Sequence, residues 1–169
     1  MSQFQAASAD LITLASEQPA DGPAVEALIA RAFGPGRHTK VSARVREFAA
    51  FLPAVSRIAW RDGAIIGCAR QSLTHVAGRP LVFLGPLAVE ADRRLGGVGA
   101  RLVDEACLAA AAEGHEAVLL VGDLPFFGRV GFGHAPAEIV LPGPVDPRRV
   151  LLRPLRQGGD AGWAGPLTA

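Results

Sequence analysis

The chain has 169 residues, half of them hydrophobic and 20% charged, with a formal net charge of +1. That is the balance of one globular domain with a sizeable core, and its near-neutral charge argues against nucleic acid or an anionic membrane as the main partner. Two cysteines are too few for a disulfide framework or a metal cluster. No apolar run approaches the about 18 residues of a membrane span, and the polar start lacks a signal-peptide plan, so the cytoplasm is the expected location.

In chain order, Leu11, Ile12 and Leu14 suggest a short first strand. Asp21 and Pro23 then start a helix with Val25, Leu28, Ile29 and Ala32 on one face, ended by Gly34-Pro35-Gly36. The stripe Val41, Val45, Phe48 and Leu52 predicts a second helix over residues 41–51, closed by Pro53. Residues 58–61 read as a strand, Asp62-Gly63 as a hairpin turn and 64–76 as the partner strand, with Ile66, Cys68, Arg70 and Ser72 on one face. After a turn at Gly78-Arg79-Pro80, a third antiparallel strand returns over 81–89. Its Gly85-Pro86 should break the pairing, because proline donates nothing to a ladder and glycine in a strand marks a bulge.

Residues 97–113 carry Val98, Leu102, Val103, Ala106 and Ala109 or Ala110 at helical spacing, with Gly114 as the C-terminal cap. The wholly apolar stretch 117–121 follows as a strand. Strand, helix, apolar strand implies a parallel pair. A short helix over 125–129, a strand over 139–141 and an edge strand over 150–155 complete the pattern; Pro154 argues against a central place for the last. One domain over 1–169 is expected, its core about 10–155, with loose tails at 1–9 and 157–169.

The segment with most chemical content is Arg93-Arg94-Leu95-Gly96-Gly97-Val98-Gly99. Three glycines before a helix let uncovered backbone N–H groups point one way, an arrangement that binds a phosphate or pyrophosphate. No Gly-Lys-Ser/Thr follows, and Leu102 stands where the dinucleotide fingerprint wants a third Gly or Ala. What remains is Arg94-x-x-Gly97-x-Gly99. A glycine-rich turn that merely starts a surface helix is the other reading of the same residues.

With those residues the chain resembles the GNAT superfamily of acyl-CoA-dependent N-acetyltransferases, in a bacterial branch whose acceptors are mostly unassigned. Arg94-x-x-Gly97-x-Gly99 looks like the superfamily's signature, Leu84-Gly-Pro-Leu-Ala-Val89 like the strand that enters it, and Gly122-Asp-Leu-Pro-Phe-Phe-Gly-Arg-Val-Gly-Phe132 like the later aromatic pair followed by Gly-Phe. The element order agrees from about Leu11 to Leu155. The resemblance implies an α/β (α+β) fold: a mixed, mostly antiparallel twisted sheet with a central, splayed parallel strand pair and helices on both faces. It implies that backbone groups of Leu87 and Val89 bond the pantetheine of acetyl-CoA, with Ala88 also in the cofactor site, that the amides of Leu95, Gly96, Gly97, Val98 and Gly99 hold its pyrophosphate with Arg94 adding positive charge nearby, and that the Leu87 N–H acts as an oxyanion donor. Phe127 is expected to border the cofactor.

The acid and base are harder to assign. Relatives often protonate the departing thiolate with a Tyr ahead of the Gly-Phe pair, but this chain has no tyrosine and Phe127 stands there. A thiol of ordinary acidity, pKa about 8.5, is already a fair leaving group. Candidate bases are Glu90, Asp123, His75 and His134, and each has a bland alternative: a solvated loop carboxylate, a helix cap, a rim histidine, a loop histidine. No pair of histidines has metal-ligand spacing, so no metal is expected.

The leading expectation is therefore an N-acetyltransferase that moves an acetyl group from acetyl-CoA to a primary amine of a small molecule or peptide, by direct attack in a ternary complex. An acyl-CoA-binding regulatory or structural module with a degenerate catalytic site is the alternative. The amine's identity, and whether the protein is a monomer or a homodimer, stay open. The arginines Arg148, Arg149, Arg153 and Arg156 read as a solvated edge.

Overall fold

A computed structural model describes residues 11–35, 40–91 and 96–169. The expected tail 1–9, and Arg94 and Leu95 of the phosphate-loop expectation, lie outside the described residues. Strand β1 (Thr13–Ser16) precedes helices α1 (Gly22–Phe33) and α2 (Val41–Phe48), followed by β2 (Ala50–Phe51), β3 (Arg57–Arg61), β4 (Ala64–Val76) and β5 (Arg79–Val89). Helix α3 (Val98–Ala112) leads to β6 (Ala117–Val121) and the single-turn α4 (Leu124–Phe127). Four short strands finish the chain: β7 (Gly133–His134), β8 (Ile139–Val140), β9 (Val150–Pro154) and β10 (Gly165–Thr168).

The sheet order is β1-β3-β4-β5-β6-β9-β7, antiparallel along this path except for the parallel central pair β5-β6. Two turns build the β3-β4-β5 meander. Asp62-Gly63 and Ala77-Gly78 both place two successive residues at positive φ, the geometry whose twist matches the flanking strands. The second turn therefore comes one residue earlier than expected, and Arg79 and Pro80 already belong to β5.

Helices cover both faces. Val82 and Leu84 of β5 pack with Val98, Leu102, Val103 and Ala106 of α3. Leu81 and Phe83 turn the other way, onto Val41 and Val45 of α2. Beside them Val25, Leu28 and Ile29 of α1 pack on Ile58, Cys68 and Ala88.

Side-chain parity locates the irregularities. Along β5 the residues facing α3 are Val82 and Leu84 before Gly85-Pro86, but Leu87 and Val89 after it, while Ala88 faces α1. Strand side chains alternate with period two, so this switch from even to odd means one extra residue. The ladder agrees: Gln71 pairs Leu84 and Ala69 pairs Leu87, leaving Gly85 and Pro86 opposite Arg70 alone. A second switch occurs in β4. Ile66 faces α3 and Cys68 faces α1, contrary to the expected common face, because the β3-β4 register also slips, between Ala59 and Trp60. At Gly67 in that slip, a Cβ would stand 2.8 Å from Leu102 Cδ1.

Three expectations are corrected. Helix α2 stops at Phe48, and Ala50 and Phe51 instead pair with Leu73 and Ser72, because β3 leaves that part of the β4 edge uncovered. Strand β9 is not an edge: it lies between β6 and β7, and Pro154 is tolerated because β7 reaches only Leu151 and Leu152. The segment after Gln157 is not loose. Leu167 pairs Val76, Gly165 pairs Ile139, and Trp163 is buried, with its indole N–H donated to Gly159 O at 2.7 Å and Arg79 stacked 3.7 Å above its ring.

Candidate active site

The parallel pairing of β5 with β6 covers only Val82–Val118 and Phe83–Leu119. Beyond it comes the Gly85-Pro86 bulge, which redirects β5 and opens a cleft between the strand ends. Glu90 N donates to Ile66 O at 2.8 Å, so Glu90 turns its backbone toward β4; alternation then turns the backbone groups of Leu87 and Val89 toward the cleft.

Two cavities occupy this cleft, and they meet at Leu87 and Phe33, which line both. The smaller, about 290 Å³, lies between Leu87, Ala88 and Val89 on one side and Gly97, Gly99 and Phe126 on the other. Gly96 and Gly97 hold left-handed conformations at φ +86° and +72°, with Gly97 as the N-terminal cap of α3. A Cβ on either would meet no atom within 4 Å, so it is the left-handed backbone and not crowding that calls for glycine at both positions. That geometry fits an extended amide-bearing chain that ends in a phosphate: strand-like pairing along Leu87–Val89, then an anion at a helix N-terminus. Val98, also expected here, is the first residue of α3 and its side chain is buried in the core, so only its backbone remains for such a contact.

The larger cavity, about 510 Å³, continues past the bulge. Its floor is apolar, with Ile29, Val41, Leu120 and Phe127. Charge sits on two walls. Lys40 and Arg46 come from α2 and its entry, Lys40 lying 5.0 Å from the Phe33 ring centre. Opposite stand two internally matched pairs. Asp123 accepts from Arg149 Nε at 3.2 Å, and Asp146 accepts from the side chain and backbone of Arg148, which hold its carboxyl below the usual range.

The candidate bases are thereby sorted. Asp123 lines the larger cavity; it precedes α4 but its side chain makes no capping bond. Glu90 lines neither cavity and is tied to Arg31 of α1 through both Nε, at 3.1 Å, and Nη2. His75 pairs with Pro80 at the far end of β4, seven residues along β5 from Leu87, roughly 20 Å at strand spacing. His134, on β7, is exposed and lines neither cavity.

Phe127 was expected beside the cofactor, but its ring lines the larger cavity, and the neighbouring Phe126 lines the smaller one. The two rings meet edge to face with centroids 4.8 Å apart, so α4 turns one aromatic to each cavity. Adjacency in sequence gives no means of telling them apart. Arg46 was missed altogether; lying next to the apolar Val45, it carried no signal beyond an ordinary helical charge. The C-terminal arginines are matched to carboxylates: Arg149 to Asp123, Arg153 to Asp104, Arg156 to Glu116. Both thiols are buried, which pushes each up to about 12 and makes them inert. Among the described residues no three His, Cys, Asp or Glu side chains gather to hold a metal ion, and no helix is long and apolar enough to cross a membrane.

Comparison with known proteins agrees with this geometry. The acetyltransferase (GNAT) family model matches residues 23–132. An N-acetyltransferase of Escherichia coli K12, YhbS, is 32% identical over 118 residues, which span 69% of this chain and 70% of that one. The crystal structure of E. coli YhbS in complex with CoA superposes with a TM-score of 0.78 at 26% identity, covering 92% of this chain and 88% of that chain. The fold is also that of a GNAT acetyltransferase from Brucella melitensis in complex with acetyl-CoA, with TM-score 0.59 at 21% identity over 83% of this chain and 94% of that one. A parallel strand pair splayed at a bulge, a helix opened by left-handed glycines and a family match through both elements lead to one conclusion: the chain belongs to the GNAT acetyltransferase family.

Proposed function

We propose that this protein transfers an acetyl group from acetyl-CoA to a primary amine by direct attack, with both substrates bound together in one domain formed by the whole chain, in the cytoplasm. The observation that carries the reading is the junction of the two cavities at Leu87 and Phe33. One cavity leads from the glycine turn and the other from solvent past charged walls, so two ligands would meet at the Leu87 backbone.

When bound, acetyl-CoA supplies an activated thioester whose sulfur departs as a thiolate. The remaining work falls to the chain. Leu87 and Val89 would pair with the amides of the pantetheine arm as an added strand, with Ala88 lining the same cavity, and the amides of Gly96 to Gly99 would hold the pyrophosphate, joined by Arg94 and Leu95. The Leu87 N–H would donate to the carbonyl oxygen as charge builds there. An alkylamine with pKa near 10.4 is neutral in only about one molecule in a thousand at pH 7, so removal of its proton matters. Asp123 would accept that proton, being the one candidate base that lines the acceptor cavity. Glu90, held by Arg31, would instead fasten α1 to the end of β5.

The test has two parts. Saturating acetyl-CoA should raise the melting temperature, and thiol release across a panel of amines should exceed the background rate. In Asp123→Asn, kcat/KM should fall by about 10²-fold or more, the contribution typical of a general base, while the acetyl-CoA shift persists. Unchanged kcat/KM in that variant would remove Asp123 from the reaction, and absence of turnover with every amine would remove the activity.

A further inference from the structure

Charge and apolar surface occupy different depths of the larger cavity. Lys40, Asp123, Asp146 and Arg149 are exposed and form its mouth. Each is already engaged within the protein: Arg149 donates to Asp123, Arg148 to Asp146, and Lys40 lies over the Phe33 ring. Arg46, half-buried on the α2 wall, also has a partner of its own. Beneath this rim the lining is apolar. Ile29, Val41, Leu84 and Leu120 are buried, and Val121 and Val145 are half-buried beside them. Ser42 adds one neutral hydroxyl.

From this layering we infer that the acceptor is a primary amine on an apolar body, an alkyl or arylalkyl amine with no acidic group of its own. This deepens the acetyl-transfer reading and rests on it. The cofactor enters from the glycine turn through the smaller cavity, so the larger one is left for the acceptor, with its amine at the Leu87 backbone. A second anion seated here would have to displace a carboxylate from its arginine, leaving that carboxylate without its counter-charge. An apolar chain asks for no such exchange. It exchanges water for the buried side chains of the floor, and each buried methylene is worth about three- to fourfold in affinity. The same apolar surroundings disfavour the ammonium form of the amine, which favours the neutral form that attacks.

The experiment uses the n-alkylamines from propylamine to hexylamine as acceptors. They share nearly one amine acidity, so differences among them report the chain. In the parent protein kcat/KM should rise about threefold or more per methylene. N-hexylacetamide should bind the CoA-loaded protein more tightly than N-propylacetamide by a similar cumulative factor. 6-Aminohexanoate ends the same chain in a carboxylate and should fall about tenfold or more below hexylamine. Val145→Asp, with Val145→Thr as the milder change that keeps the shape, should cost hexylamine more than propylamine. A flat series would overturn the inference, as would 6-aminohexanoate matching hexylamine, or equal losses for both amines in both variants. Faster transfer to propylamine from hexanoyl-CoA than from acetyl-CoA would give the apolar floor to the acyl chain and overturn it too. Graded binding of the acetamides without turnover of any amine would leave this assignment standing and overturn acetyl transfer instead.

Discussion

The Phe127 ring lies directly over Gly122: a Cβ built on Gly122 would meet Cδ2 of Phe127 at 2.7 Å and Leu120 Cδ1 at 3.2 Å. The end of β6 and the wall of the larger cavity are thus one packed unit, and the missing side chain at position 122 is what lets the ring fill it.

Gly122→Ala should therefore push Phe127 off its seat. Overpacking of this kind costs about 1–3 kcal/mol, and the displaced ring intrudes on the acceptor cavity, so both melting temperature and kcat/KM should fall. Adding Phe127→Leu to Gly122→Ala should recover part of the lost stability, because the obstructing ring is gone. Additive losses in a thermal-melt double-mutant cycle would show that the two residues do not press on each other.

Gly97→Val addresses the phosphate loop. Gly97 sits at φ +72°, a region a β-branched residue resists, and it lines the smaller cavity. Saturation at 100 times Kd stabilises a protein by about 2.7 kcal/mol. The parent should show a melting shift of that size with acetyl-CoA and the variant none, with its far-UV circular dichroism unchanged. An intact shift would move the anion site elsewhere.

Glu116 should make the C-terminal segment acid-sensitive. Hydrogen bonds from Arg79 and then Arg156 hold its carboxyl at about 2, against an ordinary 4.5. A carboxylate depressed in the folded state contributes stability above its unfolded value and loses it as pH falls, here between about 4.5 and 2. Arg79 also stacks on Trp163 and donates to Ala161 O at 2.7 Å, so protonation of Glu116 should loosen the contact of the tail with β5. Trp163 emission, read in a Trp60→Phe background, should shift over this window. In Glu116→Gln it should already be shifted at neutral pH; an unaltered acid transition there would place its origin in another group.

Cys68 and Cys107 should both escape an aromatic disulfide reagent in the native protein and both react once it is unfolded. Each is buried with its thiol pushed up to about 12, so thiolate and access are lacking together. Rapid native labelling of Cys68 would require α1 to lift from the sheet, and of Cys107 would require α3 to do so.

The sequence by itself determined the elements whose local chemistry is strong. Asp62-Gly63 dictates a tight hairpin, Gly85-Pro86 cannot continue a regular ladder, and glycines before an apolar helical stripe open α3. These features also carried the family resemblance, because the same residues make the splay and the left-handed glycine start of α3. The tertiary structure decided what local preference leaves open. Ala50 and Phe51 became a strand because a vacant stretch of the β4 edge offered hydrogen bonds, and residues 157–169 became ordered because Trp163 found a buried seat beneath Arg79. It also separated four candidate bases that spacing could not rank: His75 and Asp123 are equally polar in sequence, yet one lies at the far end of β4 and the other lines the larger cavity. Arg46 is the clearest case. Its neighbours in sequence make it an ordinary helical charge, and only the packing of α2 against a bulge 39 positions later sets a guanidinium beside the cleft.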